Sequence, residues 1–381
     1  MYLPAFPELA DDFDASASSV QLTLTACLLG LGIGQIVTGP VSDALGRRRP
    51  LLVGLGVYVG ASLLCAVSPS IYALAGLRFL QGLAAGAGVV TSRAVVRDLF
   101  TGPAASRFFS RMMLVNGLAP ILAPTIGAAV LVFTSWRGVF VVLAGIGAVL
   151  LLGSWLGLRE TVAPERRRTG GARESIRGFG KLLHSRTFVG YALGQGLALG
   201  AMFAYISGSP FVLQEIYGLS PRLFAASFGI NAVAIVAGSQ VNGFLVGRVA
   251  PRPLLLGGLG TLAGGGLALL AVVVLDAGLA GVLATLFVLT CSVGFIIPNA
   301  TALALADHPH VAGSASALLG LTQFLVAAAA VPLVGVAGSD SALPMAAVIA
   351  TLAVGAVAAI VTLTPAGPAT ARPLPAGGEL G

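Results

Sequence analysis

The sequence predicts an all-α membrane protein in which eleven helical spans cross a lipid bilayer. Three observations support this fold class. Hydrophobic residues make up 57% of the 381 residues and charged residues only 9%, where a soluble domain usually carries about a quarter. The mean hydropathy is +0.97. Apolar stretches of the length that crosses the hydrocarbon core, roughly 20 residues, recur along the whole chain.

The apolar stretches follow one another through short polar connections, and each is predicted to form one helix. The 52 glycines fit this interpretation, because small residues let helices pack closely in lipid. The predicted spans are 21–40, 51–68, 71–92, 109–132, 137–157, 187–208, 223–246, 254–274, 279–303, 311–337 and 344–363.

Basic residues occupy every second connection, which predicts the orientation of the chain. Of the 21 Lys and Arg residues, 18 lie in this alternate set, and the positive-inside rule places that set in the cytoplasm of a bacterial inner-membrane protein. Residues 1–20, with four acidic and no basic residues, are then outside. An external start without a signal peptide is unusual. We therefore expect that the first span of a twelve-span protein is absent or truncated here.

The longest polar segment divides five spans from six. It predicts an N-terminal helical bundle over 1–158 (spans 2–6), a cytoplasmic linker over 159–186, a C-terminal bundle over 187–364 (spans 7–12) and a cytoplasmic tail over 365–381. Two six-helix bundles related by internal repeats are an established transporter plan.

A faint internal repeat supports this division. Gly39 and Arg48 in the first cytoplasmic connection correspond to Gly243 and Arg252 in the second half. The acidic residue of the first copy is replaced by glycine in the second.

The connection that follows the first visible span carries the most specific motif. Gly39 is expected to permit a close helix contact, and Gly46 a left-handed turn in a short loop. Asp43 can pair with a basic group or face a helix N-terminus, while Arg47 and Arg48 anchor the loop at the cytoplasmic side. This spacing resembles the G-x-x-x-D-x-x-G-R-R/K signature of the major facilitator superfamily.

Asp98, at the inner end of the span over 71–92, is the expected partner of Arg47. The resemblance implies that such contacts latch the two bundles in the outward-open state. The alternative is that these charges only fix topology.

Arg78 lies inside a span, and Gln81 and Gly82 follow it in a pattern that resembles the R-x-x-Q-G motif of the same family. An arginine in hydrocarbon is costly and normally faces a cavity or a partner. The mapped spans contain no Asp, Glu, His or Lys. The resemblance implies a proton-coupling region at Arg78 and Gln81, and the alternative is an arginine that snorkels to the outer interface.

Gly117, Pro120, Pro124 and Gly127 form a third motif, which resembles the G-x-x-x-G-P-x-x-G-G hinge of antiporters. Prolines kink a helix, and glycines are expected to form a smooth face against the partner bundle. The alternative is an ordinary kinked span.

Two further stretches, residues 1–7 and 206–214, resemble segments of the Bcr/CflA group of drug-resistance exporters, so that the resemblance covers essentially the whole chain. In that group an acidic proton carrier directly precedes the first stretch. Here it would lie upstream of Met1.

Polar and aromatic residues within spans are candidates for lining a substrate cavity, since an apolar pocket with few polar groups suits varied lipophilic substrates. Each could equally form an interhelical hydrogen bond. The candidates are Gln21, Gln35, Asn116, Tyr191, Gln195, Phe203, Tyr205, Asn231, Gln240, Asn299 and Gln323.

The resemblance implies efflux of small lipophilic or amphiphilic molecules by proton-coupled antiport, from a lipid-embedded monomer without a cofactor. The alternatives are an exporter or importer of an endogenous metabolite on the same fold, or a non-transporting truncated remnant. An enzyme is disfavoured because its site needs clustered titratable groups. Nucleic-acid binding is disfavoured because the basic residues form no clustered face. The three cysteines lack metal-ligand spacing.

Overall fold

The computed structural model describes residues 1–100, 123–162, 179–246, 248–306, 312–335 and 341–364. Every regular element named within these ranges is a helix, and β-type pairing there is limited to an isolated bridge between Val246 and Val249. The predicted all-α fold class is therefore confirmed.

The helices are numbered here in chain order. A short 3-10 turn, Leu3–Ala5, precedes α1, and a π-helical segment, Phe211–Ile216, continues α7. The helices are α1 (Phe6–Asp12), α2 (Ala17–Leu45), α3 (Arg48–Ala66), α4 (Ile71–Leu99), α5 (Ala123–Phe133), α6 (Trp136–Gly157), α7 (Arg186–Pro210), α8 (Pro221–Leu245), α9 (Pro251–Val274), α10 (Gly278–Ala306), α11 (Ala312–Gly335) and α12 (Leu343–Leu363).

Ten of these helices, α2 to α4 and α6 to α12, are long and apolar enough to cross a membrane. They match ten of the eleven predicted spans. The remaining predicted span, 109–132, falls partly outside the described residues, and α5 is its described part. Asn116, Gly117 and Pro120 lie outside the described residues, as do most of the predicted linker and the predicted tail.

Serine caps begin several of the spans. The hydroxyl groups of Ser16, Ser70, Ser185 and Ser220 each accept a hydrogen bond from the backbone N–H three residues ahead. Such a cap gives a partner to one of the backbone N–H groups that have none within the helix. It typically stabilises the folded protein by about 1 kcal/mol. The caps explain why α2, α4, α7 and α8 begin where they do.

Glycines bring α2 and α4 into backbone contact. A Cβ atom at Gly30 or Gly34 would overlap the backbone carbonyls of α4, and one at Gly82 would overlap the Cys27 carbonyl of α2. No described atom lies within 4 Å of a Cβ atom placed on Gly39. The prediction of a close contact at Gly39 is therefore wrong for the described part of the chain, and the contact is made nearer the middle of the same helix.

The helices pack mainly within each half of the chain. In the first half α4 packs on α2 and α3, and α3 packs on α6; in the second half α7 packs on α11 and α12. The two halves meet mainly where α2 packs on α11, and also where the first residues of the chain contact α7 and the π-helical segment. By the charge assignment made above, the end of α2 at Ala17 faces outward, and we call this end of the molecule the outer side.

Candidate functional site

Arg47 is the centre of a hydrogen-bonded cluster at the inner side. Its Nε donates to Asp98 Oδ2 at 2.9 Å, and its Nη1 donates to Ser42 Oγ at 2.8 Å and to the carboxylate of Asp43. Thr161 Oγ1 also donates to Asp98 Oδ2, at 3.1 Å. The predicted partnership of Arg47 and Asp98 is thus present, and both residues belong to the first half of the chain.

Glu160 completes this cluster, although the sequence patterns did not single it out. Its carboxylate accepts the backbone N–H groups of Arg47 at 2.8 Å and of Arg48 at 3.2 Å, at the start of α3. It also accepts the N–H groups of Thr161 and Val162 in its own turn. One side chain therefore joins the loop after α2 to the chain that leaves α6.

Hydrogen bonds favour the charged forms of Glu160 and Arg47 in the inner cluster. Partial burial would by itself raise the pKa of Glu160, but the four backbone hydrogen bonds lower it below its usual value. Burial likewise opposes the charge of Arg47, yet hydrogen bonds to Asp98 and Asp43 raise its pKa. Charge-assisted hydrogen bonds of this kind are stronger than neutral ones, so the loop conformation is well determined.

Gly46 makes room for the Glu160 carboxylate. Its backbone has φ +89° and ψ 173°, a region that essentially only glycine adopts. A Cβ atom at this position would lie against the carboxylate oxygens of Glu160. The glycine is needed both for the turn and for the approach of Glu160.

Arg48 and Arg252 cap equivalent helix ends in the two halves. Arg48 donates from Nε to the Leu158 carbonyl and from Nη2 to the Trp155 carbonyl, both at 2.8 Å, at the end of α6. Arg252 donates from Nη2 to the Thr364 carbonyl at 2.6 Å, at the end of α12. Cations are favoured at helix C-termini. Arg48 and Arg252, which correspond in the sequence repeat, therefore also have corresponding contacts in the structure.

Arg78 lies inside the first half with only 7% of its surface exposed, so the snorkelling alternative is wrong. Its guanidinium carbon lies 4.3 Å from the centre of the Tyr2 ring. Nη1 donates to Gln81 Oε1, and Gln81 Nε2 donates to Ser62 Oγ at 2.6 Å. Arg78 and Gln81, which the motif paired, are therefore in direct contact, while Arg78 Nε has no hydrogen-bond partner among the described groups.

The predicted cavity candidates of the second half mostly form contacts between helices. Asn231 Nδ2 donates to the Tyr205 hydroxyl at 2.8 Å, and Tyr205 stacks on Phe228. Asn299 Nδ2 donates to Asn242 Oδ1 at 2.6 Å.

The remaining candidates of the second half differ in burial. Gln195 Nε2 donates to Thr301 Oγ1 at 2.9 Å, while its Oε1 is buried without a partner. Tyr191 is buried in the core of the second half, whereas Phe203 and Gln323 are partly buried. A role of these residues in binding substrate stays a prediction.

The described part of the predicted hinge lies on α5. Pro124 is buried in its first turn. A Cβ atom at Gly127 would overlap the backbone carbonyl of Met1. The expectation that this glycine faces the partner bundle is therefore wrong for Gly127, which faces the start of the chain in its own half.

The sequence has well-matched relatives. It is 45% identical to an uncharacterised major facilitator-type transporter, YdgK, of Bacillus subtilis (strain 168), over 93% of this chain and 88% of that protein. It is 32% identical to a bicyclomycin resistance protein homolog of Haemophilus influenzae, over 91% and 87% of the two chains. The predicted resemblance to drug-resistance proteins is therefore confirmed.

The fold also matches a solved transporter. The crystal structure of a D-xylose-proton symporter superimposes with a TM-score of 0.75 over 96% of this chain and 93% of that one, at 15% sequence identity. The sequence profile of the Major Facilitator Superfamily matches residues 1–332. The chain is a multi-pass protein of the bacterial inner membrane and a transporter rather than an enzyme, and it belongs to the Major Facilitator Superfamily.

Proposed function

We propose that this protein exports small lipophilic or amphiphilic molecules, drugs among them, from the cell in exchange for protons. The observation that carries the proposal is the similarity to a bicyclomycin resistance protein homolog over 91% of this chain. The interior agrees with it, because the buried polar side chains in the described part of the second half carry amides and hydroxyls in an otherwise apolar setting. Such surroundings suit substrates that differ in shape but share an apolar surface.

Transport would proceed by alternating access, with the two halves rocking about a site near the middle of the membrane. Hydrogen bonds between described residues join the halves toward the outer side. Gln21 Nε2 donates to the Ser207 carbonyl at 3.3 Å, and Thr25 Oγ1 donates to the Ala328 carbonyl at 3.2 Å. Both would break when the outer side opens.

The inner cluster around Arg47 would act as the latch. Because Arg47, Asp98 and Glu160 all belong to the first half, their bonds do not themselves cross between the halves. They would instead hold the inner ends of α2, α3, α4 and α6 as one rigid surface, against which the second half closes. Loss of one acceptor would change the balance between inward-open and outward-open states.

Efflux can be tested with bicyclomycin in cells that lack their own exporters. We expect cells expressing the protein to accumulate less drug than cells with an empty vector, and a protonophore to abolish the difference. Asp98→Asn should reduce efflux several-fold at equal membrane level, while the exposed Asp11→Asn should not. Efflux that persists after the proton gradient collapses would contradict the coupling.

A different outcome would favour another substrate. If bicyclomycin and other drugs accumulate equally with and without the protein, but its loss changes growth in drug-free medium, the cargo is an endogenous metabolite. The same fold serves many substrates, so this result would leave the family assignment intact.

A further inference from the structure

The two sequence stretches that the proposed mechanism leaves without a role, residues 1–7 and 206–214, meet at the outer side. The ring of Phe6 lies 6.1 Å from the ring of Phe211. Both side chains are buried, and they belong to one apolar cluster that joins residues of the two halves. Phe6 and Phe211, 205 positions apart in sequence, therefore meet at one contact between the two halves, which we call the junction.

The second-half side of this junction has an irregular backbone. Pro210 ends α7, and the following segment, Phe211–Ile216, is a π-helix. Proline removes a backbone donor, and π-helical turns inside helices are frequent at functional sites. Phe211 is the first residue of this segment, so its ring lies where the helix departs from regular α-helical geometry.

The first-half side is fixed by a set of contacts that we call the clasp, formed by Glu8, Asp12, Trp136 and Arg137. Both carboxylate oxygens of Glu8 accept the backbone N–H of Trp136 at 3.2 Å. Asp12 Oδ2 accepts Trp136 Nε1 at 2.9 Å and Arg137 Nη1 at 2.7 Å. The clasp ties α1 to the first turn of α6, so residues 1–13 belong mechanically to the first half.

An aromatic row leads from the junction to Arg78. The Phe6 ring lies 5.1 Å from the Tyr2 ring in an edge-on arrangement, and the Tyr2 ring covers the Arg78 guanidinium at 4.3 Å. The Tyr2 hydroxyl is hydrogen-bonded to Thr23 Oγ1 on α2 at 3.0 Å. The rings of Tyr2 and Phe6 thus connect the buried guanidinium of Arg78 to the π-helical segment of the second half.

A small cavity of about 10 Å³ adjoins the junction, with room for roughly one water molecule and with Ala17, Gln21 and Phe211 in its lining. Gln21 Oε1 is buried there without a partner. The junction is therefore closed in this structure, yet it contains an unsatisfied polar group that water could reach on opening.

From these contacts we propose that residues Tyr2 and Phe6 form one face of an outer gate and Phe211 the other, with the clasp holding the first face in place and Arg78 positioning it through Tyr2. Opening separates Phe6 from Phe211 while the clasp stays intact. These are positioning residues, since none of them is placed in contact with substrate. The proposal rests on the alternating-access part of the proposed function, and does not depend on the identity of the substrate.

The test follows the accessibility of Ala17→Cys to a membrane-impermeant thiol reagent added outside intact cells, with the three native cysteines changed to alanine. We expect slow labelling in this background, since only 9% of the Ala17 surface is exposed. Phe6→Ala or Phe211→Ala should each raise the labelling rate about tenfold. Phe133→Ala, at a phenylalanine that is 88% exposed, is the matched control and should change nothing.

Two further comparisons distinguish opening of the gate from a general destabilisation of the protein. If the rings act as a pair, the double variant should label no faster than either single variant, because coupled residues are non-additive; a multiplicative effect would contradict the pairing. Tyr2→Phe, which keeps the ring over Arg78, should label slowly, while Tyr2→Leu should label about as fast as Phe6→Ala.

Membrane level is measured for each variant by an epitope tag. If an alanine variant does not reach the membrane, Phe6→Leu and Phe211→Leu take its place, with an expected rise of about threefold. Unchanged labelling in variants of both residues at normal membrane level would overturn the gate. Because labelling needs no transported drug, a negative bicyclomycin assay with a positive labelling result would refute the substrate and leave the gate standing.

Discussion

At the scale of single residues, the inner cluster depends on a glycine and a carboxylate that meet. Gly46→Ala would place a methyl group against Glu160 and force a non-glycine residue to φ +89°. We expect a destabilisation of about 1–3 kcal/mol, measured as a lower melting temperature of the purified protein in detergent. The control is Gly56→Ala in α3, where no atom of another described element lies within 4 Å of the added Cβ; equal losses in both variants would contradict the argument.

Glu160→Gln keeps the shape of the side chain but removes its charge. We expect a loss of about 1 kcal/mol at pH 7, because the site is largely exposed and its charged hydrogen bonds are screened by solvent. The pKa of Glu160 is lowered in the folded protein, so its stabilising contribution is present above the pKa of the unfolded chain, about 4.3, and is lost as the pH falls through the folded value.

Thermal unfolding of the wild type and of Glu160→Gln at pH 7 and near pH 4 tests this dependence. The difference between the two proteins should shrink at the lower pH. A difference that stays constant or grows on acidification would show that the charge of Glu160 does not stabilise the loop.

At the scale of helices, the contact between α2 and α4 depends on particular glycines. Gly82→Ala would push a Cβ atom into the Cys27 carbonyl, and overpacking of this kind typically costs about 1–3 kcal/mol. Gly76→Ala lies on the same helix, but no atom of a neighbouring described element comes within 4 Å of its added Cβ; this variant should be neutral or slightly stabilising. Melting temperatures of the two variants in detergent provide the comparison, and similar values for both would refute a close contact.

The capping arginines make a second prediction at this scale. Arg48→Gln and Arg252→Gln should each destabilise the protein by about 0.3–1 kcal/mol, since a cation near a helix C-terminus contributes this much. The control is Arg49→Gln. Arg49 is an exposed arginine next to Arg48, and its replacement should have little effect. If only Arg48→Gln lowers the stability, the two arginines occupy equivalent places in the structure but do not contribute equally to its stability.

The sequence was informative about these elements to different degrees. Hydropathy alone located ten of the eleven predicted spans in the described part of the chain, because a lipid bilayer requires long apolar helices whatever their partners. The motif placed Arg47 beside Asp98. It did not reveal Glu160, since one acidic residue at the start of a basic segment has no periodic signal, and its role arises only when α6 ends beside the loop.

Close contacts were harder to predict than spans. Glycines are so frequent in this chain that their presence does not tell which of them touch a neighbouring backbone, and the contact expected at Gly39 lies at Gly30 and Gly34 instead. The position of Tyr2 over Arg78 was also not predictable, because it depends on how the first residues of the chain pack against α2, α4 and α6.

At the scale of the whole molecule, orientation follows from the distribution of charge. We predict that Gly170→Cys, in the basic segment between the halves, reacts with an impermeant thiol reagent only after the cells are permeabilised. Asp11→Cys, at an exposed position on the outer side, should react in intact cells. Labelling of Gly170→Cys in intact cells would invert the assignment of both sides and contradict every mechanism that uses it.

The clasp has a practical consequence for following the protein in solution. The chain contains two tryptophans; Trp136 is fully enclosed between Phe13, Phe140 and Arg137, whereas Trp155 has 57% of its surface exposed. With Trp155 changed to phenylalanine, the indole at position 136 becomes an optical reporter that needs no attached dye. A gate that opens with the clasp intact leaves its emission spectrum unshifted, whereas a red shift on opening would show that α1 had left α6.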